Sequence, residues 1–322
     1  MIDTFFKPKA AQSESDIASG IRLGVGDDCA LISKSSDLDL AVSVDTLIEG
    51  VHFPESSPPD LIAHRALAVA ISDLAAMGAE PRYFTLALTL PHADTDWLAA
   101  FSGGLHEAAT QLNCAIIGGD TTRGQNVSLS IHVMGDVAKD QALLRSGAKV
   151  GDKIYVTGPL GDGAAALAYL QKRLTLQDRD LGDYLSRRFY KPQPQVRAGL
   201  ALRGVASAAI DISDGLLADL GHICAASDVA ARIETKRLPL TQPLLAQVAL
   251  SHLQQWALSG GDDYQLCFTV AKKRQSKLMQ KLAEAEFSAH LIGEIIPPGD
   301  PLVIVDGAED LNLKRSGYQH FA

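Results

Sequence analysis

The sequence predicts an α+β protein of two domains. Three observations carry this. At 322 residues the chain is longer than the span at which single cores stop growing and chains split into domains. Strand-type alternation and helix-type apolar stretches are mixed in both halves, without the strict strand–helix alternation of a doubly wound sheet. The pattern weakens around Arg145-Ser-Gly-Ala-Lys-Val-Gly-Asp152, which places a boundary near residue 148 and gives domains 1–148 and 149–322.

Taken in order, residues 1–20 are polar and poorly periodic. Residues 38–44, Leu-Asp-Leu-Ala-Val-Ser-Val, alternate as a strand does. Pro58-Pro59-Asp60 breaks the chain and opens a helix, because proline suits a first helical turn. Leu61 to Met77 is rich in Ala, Leu and Ile and reads as a buried helix. Tyr83 to Leu90 reads as a strand closed by Pro91, Asp96 to Leu112 as a helix, and Ala115-Ile116-Ile117 as a short buried strand. Val127 to Val137 alternates again. In the second half, Lys153 to Thr157 reads as a strand, and Gly158-Pro-Leu-Gly-Asp-Gly163 opens a helix over 163–173. A more polar stretch follows over 174–192. Gly199 to Ala206 looks helical, Ala208 to Ile212 a strand, Gly215 to Ser227 a helix, Gln265 to Val270 a strand and 275–286 a helix. The tail ends in a strand and a short loop.

Composition narrows the function classes. Hydrophobic residues make up 47% and charged residues 21%, an ordinary globular balance. No uncharged apolar run reaches the length of about 18 residues that spans a membrane. Met1-Ile-Asp-Thr-Phe-Phe6 has no basic segment followed by an apolar one, so no secretory signal is expected. Cys29, Cys114, Cys224 and Cys267 are scattered, with no CxxC and no Cys/His cluster. The expectation is a reduced, cytoplasmic protein with neither zinc site nor disulfide framework. A net charge of −9 argues against nucleic-acid binding. It leaves room for phosphates held through divalent cations.

The strongest signal is aspartate beside glycine or inside apolar sequence. The segments are Gly26-Asp27-Asp28, Val44-Asp45-Thr46, Ser72-Asp73, Gly119-Asp120-Thr121, Asp211-Ile-Ser-Asp-Gly215 and Gly261-Asp262-Asp263. Asp73 has Ala70 and Met77 as its helix-face neighbours, so a cation, a donor or water must answer its carboxylate, unless it is a solvated or capping residue. Asp45 poses the same question at the end of its strand. Gly118-Gly-Asp-Thr-Thr-Arg123 follows a strand, where amides and hydroxyls suit phosphates; a Gly-Gly turn is the plainer reading. Asp211 and Asp214 bracket Ile212-Ser213 before a helix, as ligands or as caps. Arg145, in a loop, suits a phosphate or solvent, and His52, seven residues after Asp45, a shared cleft or a structural place. Ile71-Ser-Asp73 with Gly118-Gly-Asp120, and Ile212-Ser-Asp214 with Gly260-Gly-Asp262, recur at 47 and 48 positions. A shared chemical role explains this better than duplication. No GxxxxGK[ST] loop, kinase HRD/DFG set, GxSxG or HExxH is present. Together these acidic segments describe hard oxygen ligands for several Mg²⁺ ions on a polyphosphate.

Quoted in order, Gly24-Val-Gly-Asp-Asp-Cys-Ala-Leu31, Val44-Asp-Thr-Leu47, His52-Phe53, Ala66-Leu-Ala-Val-Ala-Ile-Ser-Asp-Leu-Ala-Ala-Met-Gly-Ala79, Ile117-Gly-Gly-Asp-Thr-Thr-Arg-Gly124, Arg145-Ser-Gly-Ala-Lys149, Asp211-Ile-Ser-Asp-Gly-Leu216, Leu258-Ser-Gly-Gly-Asp-Asp-Tyr264 and Gly317-Tyr-Gln-His-Phe321 resemble the bacterial thiamine-monophosphate kinases. The resemblance runs through nearly the whole chain. It implies the fold of aminoimidazole ribonucleotide synthetase, with two α+β domains and N-terminal sheets that pair into a barrel across a homodimer. It implies transfer of a phosphoryl group from ATP to thiamine monophosphate, the last step towards thiamine diphosphate, by direct in-line attack with several Mg²⁺ ions. Position by position, it makes Asp28, Ser43, Val44, Asp45, Asp73, Asp120, Asp211 and Asp214 metal ligands, Val44 only through its carbonyl. Gly119, Asp120, Arg145 and Ser213 become nucleotide contacts. His52, Asp262 and Tyr318 become substrate contacts, with Asp262 standing where many members have Glu. Asp45, Asp120 and Arg145 are expected to serve catalysis. Neither nucleic acid nor membrane is implied as a partner. Rival readings are another ATP-using enzyme of the same superfamily and a silent nucleotide-binding regulator. The chain lacks the N-terminal reactive Cys and the terminal Cys expected of two such enzymes.

Overall fold

The computed structural model describes residues 20–308, 311, 317 and 318. The polar segment 1–19 and the closing residues 319–322 lie outside them. The chain divides into two compact units between Ala142 and Leu143.

The first unit is built on a six-stranded sheet. Its strands are β1 (Ile21–Leu23), β2 (Ala30–Ser33), β3 (Leu38–Ile48), β4 (Glu80–Leu90), β5 (Ala115–Arg123) and β6 (Ser128–Ala138), in the order β1-β2-β3-β6-β4-β5. All neighbours are antiparallel except β4 and β5. A parallel pair needs a long crossover, and helix α2 (Thr95–Gln111) supplies it. Asp94 caps α2 by accepting from the Trp97 N–H at 3.0 Å. Helix α1 (Pro59–Ala76) begins with a proline and is buried nearly throughout from Ile62 onward. It packs against β3, β6 and α2, so it has no solvent face to make polar, as its sequence predicts. Among the described residues the opposite face of the sheet is left open, with Val44, Thr46, Ala87 and His132 exposed on it.

Two expectations need correction here. The strand at 115–117 was expected to be short and buried. β5 instead runs to Arg123 and is exposed along its whole length. A short apolar run reads the same whether its own fold or another surface covers it. Gly118-Gly119-Asp120 is therefore inside an edge strand, not in a turn. The strand at 38–44 continues to Ile48, which places Asp45 within it rather than at its end.

The second unit has a sheet of β7 (Lys153–Val156), β8 (Ala208–Asp211), β9 (Ala230–Glu234), β10 (Leu266–Val270), β11 (His290–Ile296) and β12 (Val303–Asp306), in the order β12-β9-β11-β7-β10-β8. Its helices are α3 (Asp162–Leu170), α4 (Arg179–Tyr190), α5 (Val196–Leu202), α6 (Leu216–Ser227), α7 (Gln242–Leu245), α8 (Leu250–Ser259) and α9 (Gln275–Ala285). Ile154, Val156, Ile210, Leu220, Ile223, Leu258 and Ile292 form the centre of its core. The polar stretch 174–192 contains α4. Asp178 caps it through the Asp180 and Leu181 N–H groups. Leu181, Leu185 and Phe189, spaced by four, bury one stripe, and the charged residues between them masked it. α8 and β9 were also not anticipated.

Candidate active site

In the first unit the pleat of β3 sorts its residues. Ser43 and Asp45, two apart, share the face that packs on α1, whereas Val44 points to the open face and is 51% exposed. The Val44 side chain therefore offers nothing to the helix side. Asp73 comes from α1, and the Ser43 hydroxyl donates to its Oδ2. Asp28 is buried in the turn between β1 and β2. Carboxylate oxygens of Asp28 and Asp73 lie within 4.8 Å of one another. Two acids this close repel when both are ionised, and a hard cation relieves that repulsion. The donor set, two carboxylates with a hydroxyl orienting one of them, fits Mg²⁺.

Register decides what the sheet brings together. One row reads Asp45, Ile131, Leu86 and Gly119, and the next Thr46, Ser130, Ala87 and Asp120. Cross-strand neighbours share a face, so the Asp120 side chain lies with the open face and Asp45 with the helix face. Three strand spacings, roughly 14 Å, also separate the two rows' ends. One chain does not bring Asp45 and Asp120 together. Gly119 has a packing reason for its lack of a side chain, since a Cβ there would come 2.1 Å from the Leu86 carbonyl oxygen. His52 follows β3, and its Nδ1 accepts from the Ile48 N–H at 3.0 Å. An accepting Nδ1 leaves the ring proton on Nε2 as a donor.

In the second unit Asp211 is the buried last residue of β8. After Ile212, the N–H groups of Ser213, Asp214 and Gly215 all donate to Asp219 Oδ2, at 3.1, 3.2 and 3.1 Å. Asp219 is 3% exposed. Burial, then the nearby Asp211 and Asp214, push its carboxyl well above the usual range, against the pull of the backbone donors. The carbonyls of the same loop face outward. Ser213 O accepts from the Asp262 N–H at 2.9 Å, and Asp214 O from the Tyr318 N–H at 3.0 Å. A Cβ on Gly261 would lie 2.3 Å from Ser213 O, so only glycine allows this approach. Asp262 is held at φ +69, and its Oδ1 accepts from the Tyr264 hydroxyl at 3.0 Å. The Tyr318 side chain is 49% exposed. Ser213, Asp214, Asp262 and Tyr318 are thus gathered on one loop cluster. The Arg145 backbone is anchored elsewhere: its carbonyl accepts from Ser227 Oγ at 3.2 Å, at the far end of α6 from Ser213.

Sequence reasoning passed over Asp219, and it gave Asp263 no role beyond its place in Gly261-Asp262-Asp263. Asp219 was visible as an acid in the first turn of a helix, where the dipole favours it. Asp263 is fully buried and accepts from the Gly161 and Gly163 N–H groups at 2.7 and 3.0 Å. Burial pushes its carboxyl up to about 7, partly offset by those two donors. Asp73 is on the helix and Asp211 on the strand where the sequence reading put them, and Asp28, Asp214 and Asp262 are outside regular elements; Asp45 and Asp120, expected at a strand end and in a turn, are inside strands.

Comparison with known proteins covers both units. Residues 26–137 match the AIR synthase related protein N-terminal domain, and residues 149–306 the C-terminal domain of the same family. The chain is 47% identical over 303 residues to thiamine-monophosphate kinase of Escherichia coli (strain K12), covering 94% of this chain and 93% of that protein. It resembles the crystal structure of thiamine-monophosphate kinase from Stenotrophomonas maltophilia K279a with a TM-score of 0.79 at 44% identity, covering 89% of this chain and 92% of the other. It also resembles AaThiL complexed with AMPPCP and TMP, with a TM-score of 0.81 at 28% identity, covering 96% and 94%.

Proposed function

The chain belongs to the AIR synthase related family and, within it, to the thiamine-monophosphate kinases, and on that premise we infer that it phosphorylates thiamine monophosphate with ATP, giving thiamine diphosphate and ADP. The observation on the chain itself that carries this reading is the Asp28–Asp73 pair with Ser43 bonded to it. Such a donor set belongs to chemistry on a polyphosphate.

The acceptor is a phosphate oxygen, already ionised at neutral pH, so no strong general base is needed. That oxygen attacks the γ-phosphorus of ATP in line, one P–O bond forms, and the bond to the bridging oxygen of ADP breaks. The main obstacle is bringing two anions together. Mg²⁺ ions, when bound, supply the screening and the stabilisation of charge on the transferred group. The residues proposed to hold them are Asp28, Ser43, Asp45, Asp73 and the Val44 carbonyl on the first domain, Asp211 and Asp214 on the second, and Asp120 on β5. Arg145, Gly119 and Ser213 contact the nucleotide, with the Arg145 guanidinium on the donor phosphates. His52, through Nε2, Asp262 and Tyr318 contact the thiamine substrate. The four cysteines are free thiols, which suits the reducing cytoplasm proposed as the protein's compartment.

The working form is a homodimer whose N-terminal sheets pair into a barrel. Three features support it: β5 is an edge strand exposed throughout, the sheet face around Val44 is open, and Asp45 and Asp120 are separated within one chain. A second copy would bring its Asp120 to the first copy's Asp45. Mixing Asp45→Asn and Asp120→Asn chains then restores roughly a quarter of the wild-type activity, because half of the dimers regain one of their two sites. Mixtures as inactive as either variant would refute the shared site. For the activity itself, purified protein is incubated with MgATP and thiamine monophosphate, and the products are separated. Thiamine diphosphate and ADP formed one for one are expected. ATP consumed without thiamine diphosphate would move the substrate elsewhere in the superfamily, and nucleotide bound without turnover would favour a regulator.

A further inference from the structure

We propose that Asp219 is the positioning residue of the second domain's site: its side-chain oxygen Oδ2 sets the loop Ser213-Asp214-Gly215, and through it Asp262 and Tyr318. The inference rests on the kinase reading for what the loop does, and on geometry for how it is held.

Asp219 is not an ordinary helix cap. A cap precedes the helix and accepts from its first amides. Gly215 holds the cap position of α6, and Asp219 lies four residues further on. It reaches back to the N–H groups of Ser213, Asp214 and Gly215 on a single oxygen. Turning these amides inward fixes the peptide planes. The carbonyls of Ser213 and Asp214 then face outward, where they accept from Asp262 and Tyr318. One buried acid so determines where four site residues stand.

The arrangement has a further consequence. Amides at a helix N-terminus form a ready anion site, and at α6 the Asp219 Oδ2 already fills it. A nucleotide phosphate therefore does not take that nest. It meets this loop through the Ser213 side chain and through cations on Asp211 and Asp214.

The test compares Asp219→Ala and Asp219→Asn with wild type by calorimetric titration of the full chain with AMPPCP at varied Mg²⁺, with melting temperature measured in parallel. Asn keeps an acceptor oxygen, and its amide group is welcome beside Asp211 and Asp214. Asp219→Asn is expected within about fivefold of wild type, the difference between a charged and a neutral acceptor. Asp219→Ala is expected to weaken AMPPCP binding and raise the half-saturating Mg²⁺ by about 10–100-fold, as removal of an orienting partner does. Unchanged binding in Asp219→Ala with only a lower melting temperature would make Asp219 a structural brace and overturn the proposal. Asn as weak as Ala would mean that an acceptor oxygen at this place does not set the loop, and would overturn it too. Because the readout is binding, failure of wild type to make thiamine diphosphate would count against the kinase reading and leave this comparison standing.

Discussion

The Ser43 hydroxyl donates to the Asp73 carboxylate across the seam between β3 and α1. The bond joins a strand residue to a helix residue thirty positions away, and it holds one of two carboxylates that face each other within 4.8 Å.

A hydroxyl in this place orients a ligand without being the strongest one. Ser43→Ala should raise the half-saturating Mg²⁺ concentration about tenfold, as loss of an orienting partner does. Asp73→Asn removes an anionic ligand and should cost more, about 100-fold or beyond in turnover at moderate Mg²⁺. Steady-state assays over a range of Mg²⁺ check both. An Asp73→Asn enzyme of near-normal turnover would mean that this pair holds no catalytic ion.

Val44 lies one residue from Ser43 on the opposite face. Val44→Thr leaves the carbonyl in place and changes only a side chain on the face opposite α1. Threonine is isosteric with valine and points away from the helix side, so Mg²⁺ dependence should move by no more than about twofold. The same titration decides it, and a large shift would mean that the side chain reaches the cation site.

Gly118 and Gly119 are adjacent in β5 and should respond differently to the same methyl group. A Cβ at Gly119 would meet Leu86 O at 2.1 Å, while one at Gly118 meets nothing within 4 Å. Gly119→Ala should cost about 1–3 kcal/mol through overpacking, with Gly118→Ala close to wild type. Denaturant midpoints separate the two, and equal losses would contradict the strand register.

Asp263 gives stability a pH slope. Its folded carboxyl titrates at about 7 because it is buried, and the unfolded one in the ordinary carboxylate range. Between these values the folded chain holds a proton that the unfolded chain releases. The contribution is therefore fully present below the ordinary range and lost as pH rises through about 7, at up to about 1.4 kcal/mol per pH unit. Asp162, Arg188 and the Gly161 and Gly163 amides surround the group. Asp263→Asn cannot accept from both amides, so it should be less stable than wild type at pH 5 and lack this part of the slope. Melting curves from pH 5 to 8 test it, and parallel slopes would rule out Asp263 as their source.

The sequence by itself determined the two-domain α+β class, the buried helix carrying Asp73, and the acids beside glycine from which a cation and phosphate site is proposed. Those features are local. Apolar composition shows in a run of residues whether or not its partners are known, and an acid inside such a run is conspicuous one position at a time. Tertiary structure decided which acids meet. Asp28 and Asp73 are 45 positions apart and become neighbours because the β1–β2 turn lies against α1, a long-range fact that no periodicity records. Asp45 and Asp120 read alike in sequence, yet strand order and pleat set them on opposite faces. The exposure of β5 and the inward reach of Asp219 were hidden for the same reason. A residue's neighbours across a sheet or at the mouth of a helix depend on register and loop direction, and these are fixed only when the whole domain packs.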